Sequence, residues 1–293
     1  MKTRDHEWLR TFRPAQRLKT EMENRGVQLR FLFREEAAAL LQPDGAAGFD
    51  PRDTLVLLRG ALPRDLPFRL EEAGWTCVNS ARSAALANDK LETFRFFSAF
   101  GYRLPATIDA ETVDAASELA AESAFPSPPW ILKPRFGSRG EGVRLMSGAA
   151  ELDAFLAAKD SGEFILQEYI AECEGTDIRV FFAAGRVIAS AVRRAPAGSV
   201  VSNACSGGAM RKAPSRDPLV REAERLALEM GNLAGLYYGA ADFLPSMNGN
   251  GTAEPVLCEL NAAPGFEELE KQCGIDVAGP LAAAIADYPR AKL

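Results

Sequence analysis

The sequence predicts an α/β layer followed by a larger α+β body. Three observations predict it. In residues 1–88 short apolar runs alternate with helical stretches; near residue 130 two apolar strands flank a glycine-rich turn; beyond residue 177 two β-hairpins bracket one amphipathic helix.

In chain order, Arg13 to Asn24 is polar and amphipathic and predicts a helix ending at Gly26. Val27 to Phe33 opens with apolar–polar alternation and predicts a strand. Thr54 to Leu58 is a short apolar run, as in a buried parallel strand, and Gly74 to Asn79 predicts a third strand. A helix begins at Asp89, with Asn88 or Asp89 as its N-cap, Leu91, Phe94, Phe97 and Ala99 on its apolar side, and Gly101 at its end. Pro126-Ser127-Pro128-Pro129 makes a stiff connector. Strands follow at Trp130–Pro134 and Gly142–Met146, then a short helix from Glu151 to Lys159 and an apolar strand from Phe164 to Ile170. A hairpin pairs Asp177–Phe182 with Arg186–Val192 around Ala184-Gly185. Asp217–Met230 is an amphipathic helix, and a last hairpin pairs Ala241–Leu244 with Val256–Leu260.

Composition excludes several functions. At 293 residues the chain can bury two or three compact units, and 47% hydrophobic with 25% charged residues is a soluble globular balance. A net charge of −6 offers no global footprint for nucleic acid. Five scattered cysteines without a CxxC pair argue against a disulfide framework or a zinc site, and for a reducing cytoplasm. The start MKTRDHEWLRTFR lacks an apolar signal core and no run reaches spanning length, so no membrane association is expected. The only histidine is His6, in a polar stretch, which removes His-based triads, zinc hydrolysis and histidine-dependent kinase loops. Catalysis must run on carboxylates, lysines, arginines and metal.

The stretch Pro134 to Gly142 carries three glycines whose backbone can approach a ligand closely, with amides near Gly137, Ser138 and Gly140 offered to phosphate oxygens. It lacks Gly-Lys-Ser/Thr and leads into a strand, so it is not a P-loop; it reads either as a flap over a triphosphate or as a plain hairpin. Lys133, on the entering strand, either pairs with phosphate or snorkels to solvent. Lys90, beside a helix start, is a weaker phosphate candidate whose default is the surface. Gln167-Glu168-Tyr169-Ile170 ends an apolar strand, where backbone groups can read an adenine edge and Ile170 can pack on the ring. Asp177 can accept from ribose hydroxyls.

Asp242, Glu259 and Asn261 form the sharpest constellation. Glu259 and Asn261 are two apart on a strand and share a face, and hairpin closure around Asn248–Gly251 sets Asp242 roughly opposite Glu259. Facing carboxylates repel unless a cation lies between them, and an all-oxygen donor set favours magnesium or manganese. A solvated polar face is the competing reading, opposed by the apolar neighbours Val256, Leu257, Cys258 and Leu260. Arg193 and Arg194 close a strand and either hold a γ-phosphate or developing oxyanion, or are simply solvated.

Taken in order, NDKLETF, WILKPRFGSRGEGV, ILQEYI with GTDIR, the Arg-Arg pair, Ser-Asn before Gly-Gly-Ala, and AADF with ELNAAPGFEELEK resemble the ATP-grasp superfamily, specifically the RimK-type α-L-glutamate ligases. The resemblance spans Asn88 to Gly279, and ELNAAPGFEELE is its most specific string. It implies a pre-ATP-grasp α/β domain over 1–88 and an ATP-grasp domain over 89–293, with lobes of roughly 89–170 and 171–293. It puts Lys90 and Lys133 on ATP phosphates; Glu168, Tyr169 and Asp177 around adenosine; Ser202 and Asn203 near the phosphates; and two Mg²⁺ or Mn²⁺ ions on Asp242, Glu259 and Asn261. The implied reaction activates a carboxylate as an acyl phosphate and joins it to an amine, with Arg193, Arg194 and Asn203 as catalytic candidates. Glutamate is the implied donor, a peptide, protein tail or small molecule the acceptor, and a homo-oligomer the implied assembly. Val201 stands where the family often has arginine, and Cys205-Ser206 where it often has His-Arg. An ATP-grasp kinase and a non-catalytic ATP-binding regulatory module are the rival readings.

Overall fold

The computed structural model describes residues 10–42, 49–60, 62–110, 125–137, 140–159, 161–173, 175–196 and 208–289. Helix α1 (Arg13–Glu23) starts with Pro14 in its first turn and buries Ala15, Leu18 and Met22 on one stripe. Gly26, at φ 72°, turns the chain out of it. The strand expected over Val27–Phe33 does not form: residues 27–33 have no ladder partner. Their alternation serves packing instead, Val27 and Leu29 joining one apolar cluster and Leu32 another.

After α2 (Arg34–Ala39), strand β1 (Leu55–Leu57) and strand β2 (Thr76–Val78) pair in parallel, with α3 (Leu66–Glu72) as the crossover between them. Leu58, Leu66, Leu70, Trp75 and Cys77 are buried in the core of this small layer. Helix α4 (Ala81–Asn88) takes Ser80 as N-cap, and α5 (Lys90–Ala99) takes Asp89, whose carboxylate accepts from the Leu91 and Glu92 amides. Leu91 and Phe97 of α5 are buried as expected, whereas Ala99 is exposed.

Strands β3 (Thr107–Asp109), β4 (Trp130–Pro134), β5 (Arg144–Met146) and β6 (Phe164–Glu168) form an antiparallel sheet in the order β3-β6-β4-β5. Helix α6 (Ala149–Ala158) covers it through Leu152, over Trp130, Leu132, Met146 and Leu166.

A second sheet has the order β11-β10-β7-β8-β9, again antiparallel throughout. Its strands are β7 (Thr176–Ala183), β8 (Arg186–Arg194), β9 (Ala209–Lys212), β10 (Tyr238–Met247) and β11 (Ala253–Asn261). Ala184 and Gly185 close the β7–β8 hairpin with positive φ at both positions, the geometry that matches strand twist. Helix α7 (Pro218–Leu233), capped by Asp217, lies across one face on Ile178, Val180, Phe182, Phe243 and Leu260. The opposite face carries α8 (Glu267–Cys273) and α9 (Ala278–Ala286), and α1 packs there too: Leu18 and Met22 share a cluster with Leu281 and Ile285.

One irregularity positions the site. The β10–β11 register runs Met247↔Ala253 to Phe243↔Leu257, then shifts so that Asp242 faces Glu259. The bulged residue is Cys258. Without that extra residue Asp242 would face Cys258. With it, Leu257 and Leu260 both turn to α7, while Cys258 and Glu259 both line a cleft on the other side.

Candidate active site

The cleft lies between the two larger sheets and measures about 900 Å³ counted to its open mouth. Its first wall comes from the four-stranded sheet and the start of α5. Lys133 on β4 is only 6% exposed, and its Nζ lies 3.8 Å from Cys258 Sγ, its only hydrogen-bonding partner among the described residues. Lys90 Nζ donates to the Gly137 carbonyl at 2.9 Å. Burial and the neighbouring Lys133 charge push the Lys90 ammonium below its ordinary pKa, while Glu259 across the cleft pulls it back up. Asp89 fixes this corner: besides capping α5, it accepts from Arg135 Nε at 2.8 Å and Nη2 at 2.7 Å. Gly142 is required, because a Cβ there would come within 2.9 Å of the Pro134 ring. Ile131, Val143, Ile170 and Leu244 add an apolar slot suited to a planar ring.

At the hinge between the walls, Gln167 donates to Thr107 Oγ1 at 2.8 Å. Glu168 was expected at adenosine. It lines the cleft and also ties β6 to the chain before β3: its amide donates to Ala106 O at 2.8 Å, and its carboxylate accepts from Ala106 N at 3.0 Å. Tyr169 and Ile170 line the cleft directly behind it.

The second wall is the polar end of the five-stranded sheet, where charges alternate. Arg193 Nε donates to Asp177 Oδ1 at 2.6 Å, and Arg193 Nη2 reaches Asp242 Oδ2 at 2.9 Å. Arg179 grips the same Asp242 carboxylate with Nε at 2.8 Å and Nη2 at 2.6 Å. Asn261 Nδ2 sits 3.5 Å from Asp242 Oδ2. Burial opposes the Asp242 charge, yet Arg179 and Arg193 hold its carboxyl well below the usual range. Burial likewise opposes the Arg193 charge, and Asp242 with Asp177 raises its pKa.

Several expectations change here. Arg193 was assigned to a phosphate or oxyanion; it is 4% exposed and bridges two carboxylates. Arg194 is exposed and, one residue on along β8, points to the opposite face, so it does not reach the cleft. Asp177, expected at ribose hydroxyls, lines the cleft with its carboxylate held by Arg193. Arg179 and Arg193 neutralise the Asp242 side of the Asp242–Glu259 pair. Glu259 lines the cleft, and among the described residues no hydrogen bond or ion pair holds its carboxylate. Lys90, Lys133, Gly137, Gly140, Gln167, Glu168, Tyr169, Ile170, Asp177, Asp242 and Glu259 all converge on this one cleft; Asn261 stands beside Asp242 just outside it. Ser138, Ser202 and Asn203, like Val201, Cys205 and Ser206, lie outside the described residues.

Arg179 was missed. It stands two residues after Asp177, on the same face of β7, so strand parity alone would have found it. Cys258 was read only as apolar padding, because the bulge that turns it inward leaves no mark in the sequence.

The residues fit a nucleotide with a divalent cation. A buried ammonium whose only partner among the described residues is a thiol calls for an anion. Glu259, Asn261 and Asp242 supply oxygen donors of the kind hard cations take.

A family model described as a RimK-like ATP-grasp domain matches residues 87–285. A protein named probable alpha-L-glutamate ligase from Thioalkalivibrio sulfidiphilus (strain HL-EbGR7) is 33% identical over 228 residues, 76% of this chain and 71% of its own length. A protein of the same name from Xanthomonas oryzae pv. oryzae (strain MAFF 311018) is 32% identical over 215 residues, 73% and 69% respectively. The fold is shared with the D-alanine–D-alanine ligase of Bacillus anthracis solved with ATP: TM-score 0.71 and 18% identity over 97% of this chain and 94% of that one.

Proposed function

Because the chain belongs to the RimK-like ATP-grasp family, we propose that it uses ATP to activate a carboxylate as an acyl phosphate and then joins it to an amine. One observation carries the reading: the Lys133 ammonium is buried in the cleft with, among the described residues, only the Cys258 thiol as partner, facing the wall that bears Glu259. Such a charge is stable there only with an anion to meet it, and the terminal phosphates of ATP supply one.

Lys133 and Lys90 bind the phosphate oxygens, and the backbone of Gly137 and Gly140 closes over them. Adenine fills the slot of Ile131, Val143, Ile170 and Leu244, its edge read by the backbone at Tyr169 and Ile170. Glu259, Asn261 and Asp242 hold divalent magnesium or manganese, which supplies charge neutralisation at the phosphates. A substrate carboxylate oxygen attacks the γ-phosphorus and ADP leaves; the amine then attacks the acyl carbon and inorganic phosphate leaves. The lysines stabilise the charge of phosphoryl transfer, and the glycine flap keeps water from the acyl phosphate. Glutamate is the proposed donor, supported by the names of the two relatives, with a peptide, protein tail or small molecule as acceptor.

The test is ADP release scanned over amino acids, with hydroxylamine present to trap acyl phosphate and mass spectrometry of candidate acceptor peptides. Hydroxamate formation with one amino acid is expected. ADP release onto a hydroxyl acceptor without hydroxamate would make the chain a kinase, and nucleotide binding with no turnover a regulatory module. Glu259→Gln is expected to cut ADP release at least about 100-fold while leaving the circular dichroism spectrum intact.

A further inference from the structure

We infer that Arg179 is a displaceable counter-ion: it occupies Asp242 until nucleotide and divalent cation arrive together, and it then turns from the carboxylate to a phosphate oxygen. The inference rests on reading the cleft as a nucleotide and metal site.

The Asp242 carboxylate is crowded, most of all at Oδ2. Arg179 takes one hydrogen bond on each oxygen, and Arg193 and Asn261 approach Oδ2 as well. An ionised carboxylate offers about two lone-pair positions on each oxygen, so Oδ2 is fully taken and Oδ1 half taken, and no metal ion can chelate both oxygens of Asp242 while Arg179 grips them. Glu259, directly across the ladder, has no such cover among the described residues. The candidate metal position is thus half open, and Asp242 is the closed half.

Of the two guanidiniums, Arg179 is the one to leave. Arg193 keeps Asp177 when it releases Asp242, and its side chain is only 5% exposed. Arg179 has Asp242 as its only carboxylate partner among the described residues, and its side chain is 15% exposed. Once released, Arg179 carries an uncompensated charge in a partly desolvated cleft. A metal ion alone would create that stranded charge, and a triphosphate alone would meet a carboxylate with no cation to spare. Only the two together settle every charge, because the metal replaces Arg179 at Asp242 and the phosphate receives Arg179. Metal and nucleotide therefore bind as a coupled pair, and return of Arg179 to Asp242 expels the metal with the products.

The measurement is Mn²⁺ binding to the full chain, followed by electron paramagnetic resonance and calorimetry, with and without ADP. Wild type is expected to bind Mn²⁺ weakly alone and at least about tenfold more tightly with ADP. Arg179→Gln and Arg179→Lys should each bind Mn²⁺ alone at least about tenfold more tightly than wild type. Lysine matters here because it keeps the positive charge but cannot grip both carboxylate oxygens. If only the glutamine variant gains affinity, a general field effect explains it and the exchange is overturned. It is also overturned if neither variant gains, or if adding Glu259→Gln leaves the gained Mn²⁺ in place. Absence of Mn²⁺ binding by wild type even with ADP would instead sink the nucleotide and metal reading itself. Arg193 still neutralises Asp242 in both variants, and a melting curve checks that each one folds.

Discussion

The two walls of the cleft balance their charges in opposite ways. On the five-stranded sheet, Asp177, Arg193, Asp242 and Arg179 are tied to one another in a row. On the wall of the four-stranded sheet and α5, Lys133 and Lys90 hydrogen-bond, among the described residues, only to a thiol and a carbonyl. The tied wall holds itself together; the untied wall is held ready for something else. The two walls carry the same charged residue types, and what separates them is whether an opposite charge is already paired among the described residues.

The sharpest way to break this contrast is to remove the cation at the centre of the tied row. Arg193→Met leaves Asp177 and Asp242 buried without the guanidinium between them, and should lower stability by about 3–5 kcal/mol, read as a drop in denaturant midpoint. A loss under about 1 kcal/mol would show that this row is not what holds the sheet end together.

Lys133→Met is the matching cut on the untied wall and should behave in reverse. Removing a buried charge with no paired anion among the described residues should leave the melting temperature of the ligand-free chain unchanged or higher. ADP affinity should fall by about 1.5–3 kcal/mol, measured by calorimetry. A lower melting temperature with unaltered ADP affinity would place Lys133 with the structural charges.

Asp89→Asn probes the joint of the untied wall and should have the smallest effect. Asparagine keeps the cap on α5 and loses the charge opposite Arg135. Burial raises the Asp89 pKa, but hydrogen bonds from Arg135 and the helix amides outweigh it and hold the carboxyl below 3.8. A depressed carboxylate stabilises the fold above its unfolded pKa and loses that contribution as pH falls through the folded one. Parent and variant should therefore differ by about 1 kcal/mol near neutral pH, partly screened by solvent, and converge as pH drops below 3.8. A difference that grows on acidification would contradict the ion pair.

Much of this was legible in the sequence because it depends on short-range rules. The parity of Glu259 and Asn261, the Asp89 cap, the Ala184-Gly185 turn and the amphipathic helix after Asp217 all follow from local periodicity. What escaped depends on partners distant in the chain. Val27–Phe33 has the pattern of a strand but no edge to join, and pattern alone cannot tell the two apart. Arg193 was legible as a functional arginine but not as one already engaged, since Asp177 and Asp242 reach it from two other strands. Opposition of Asp242 and Glu259 was expected from a symmetric hairpin, yet it holds only through the bulge at Cys258.

The packing of α1 against α9 has a consequence for the order in which the molecule can be made. Leu18 and Met22 join a cluster completed by Val277, Leu281 and Ile285, and Arg17 ion-pairs with Glu270 and Asp276. During synthesis these early residues leave the ribosome some 250 positions ahead of their neighbours. The cluster around α1 is therefore complete only once α9 has emerged. Removal of residues 277–285 would thus be felt at Leu18 and Met22, some 250 positions earlier in the sequence.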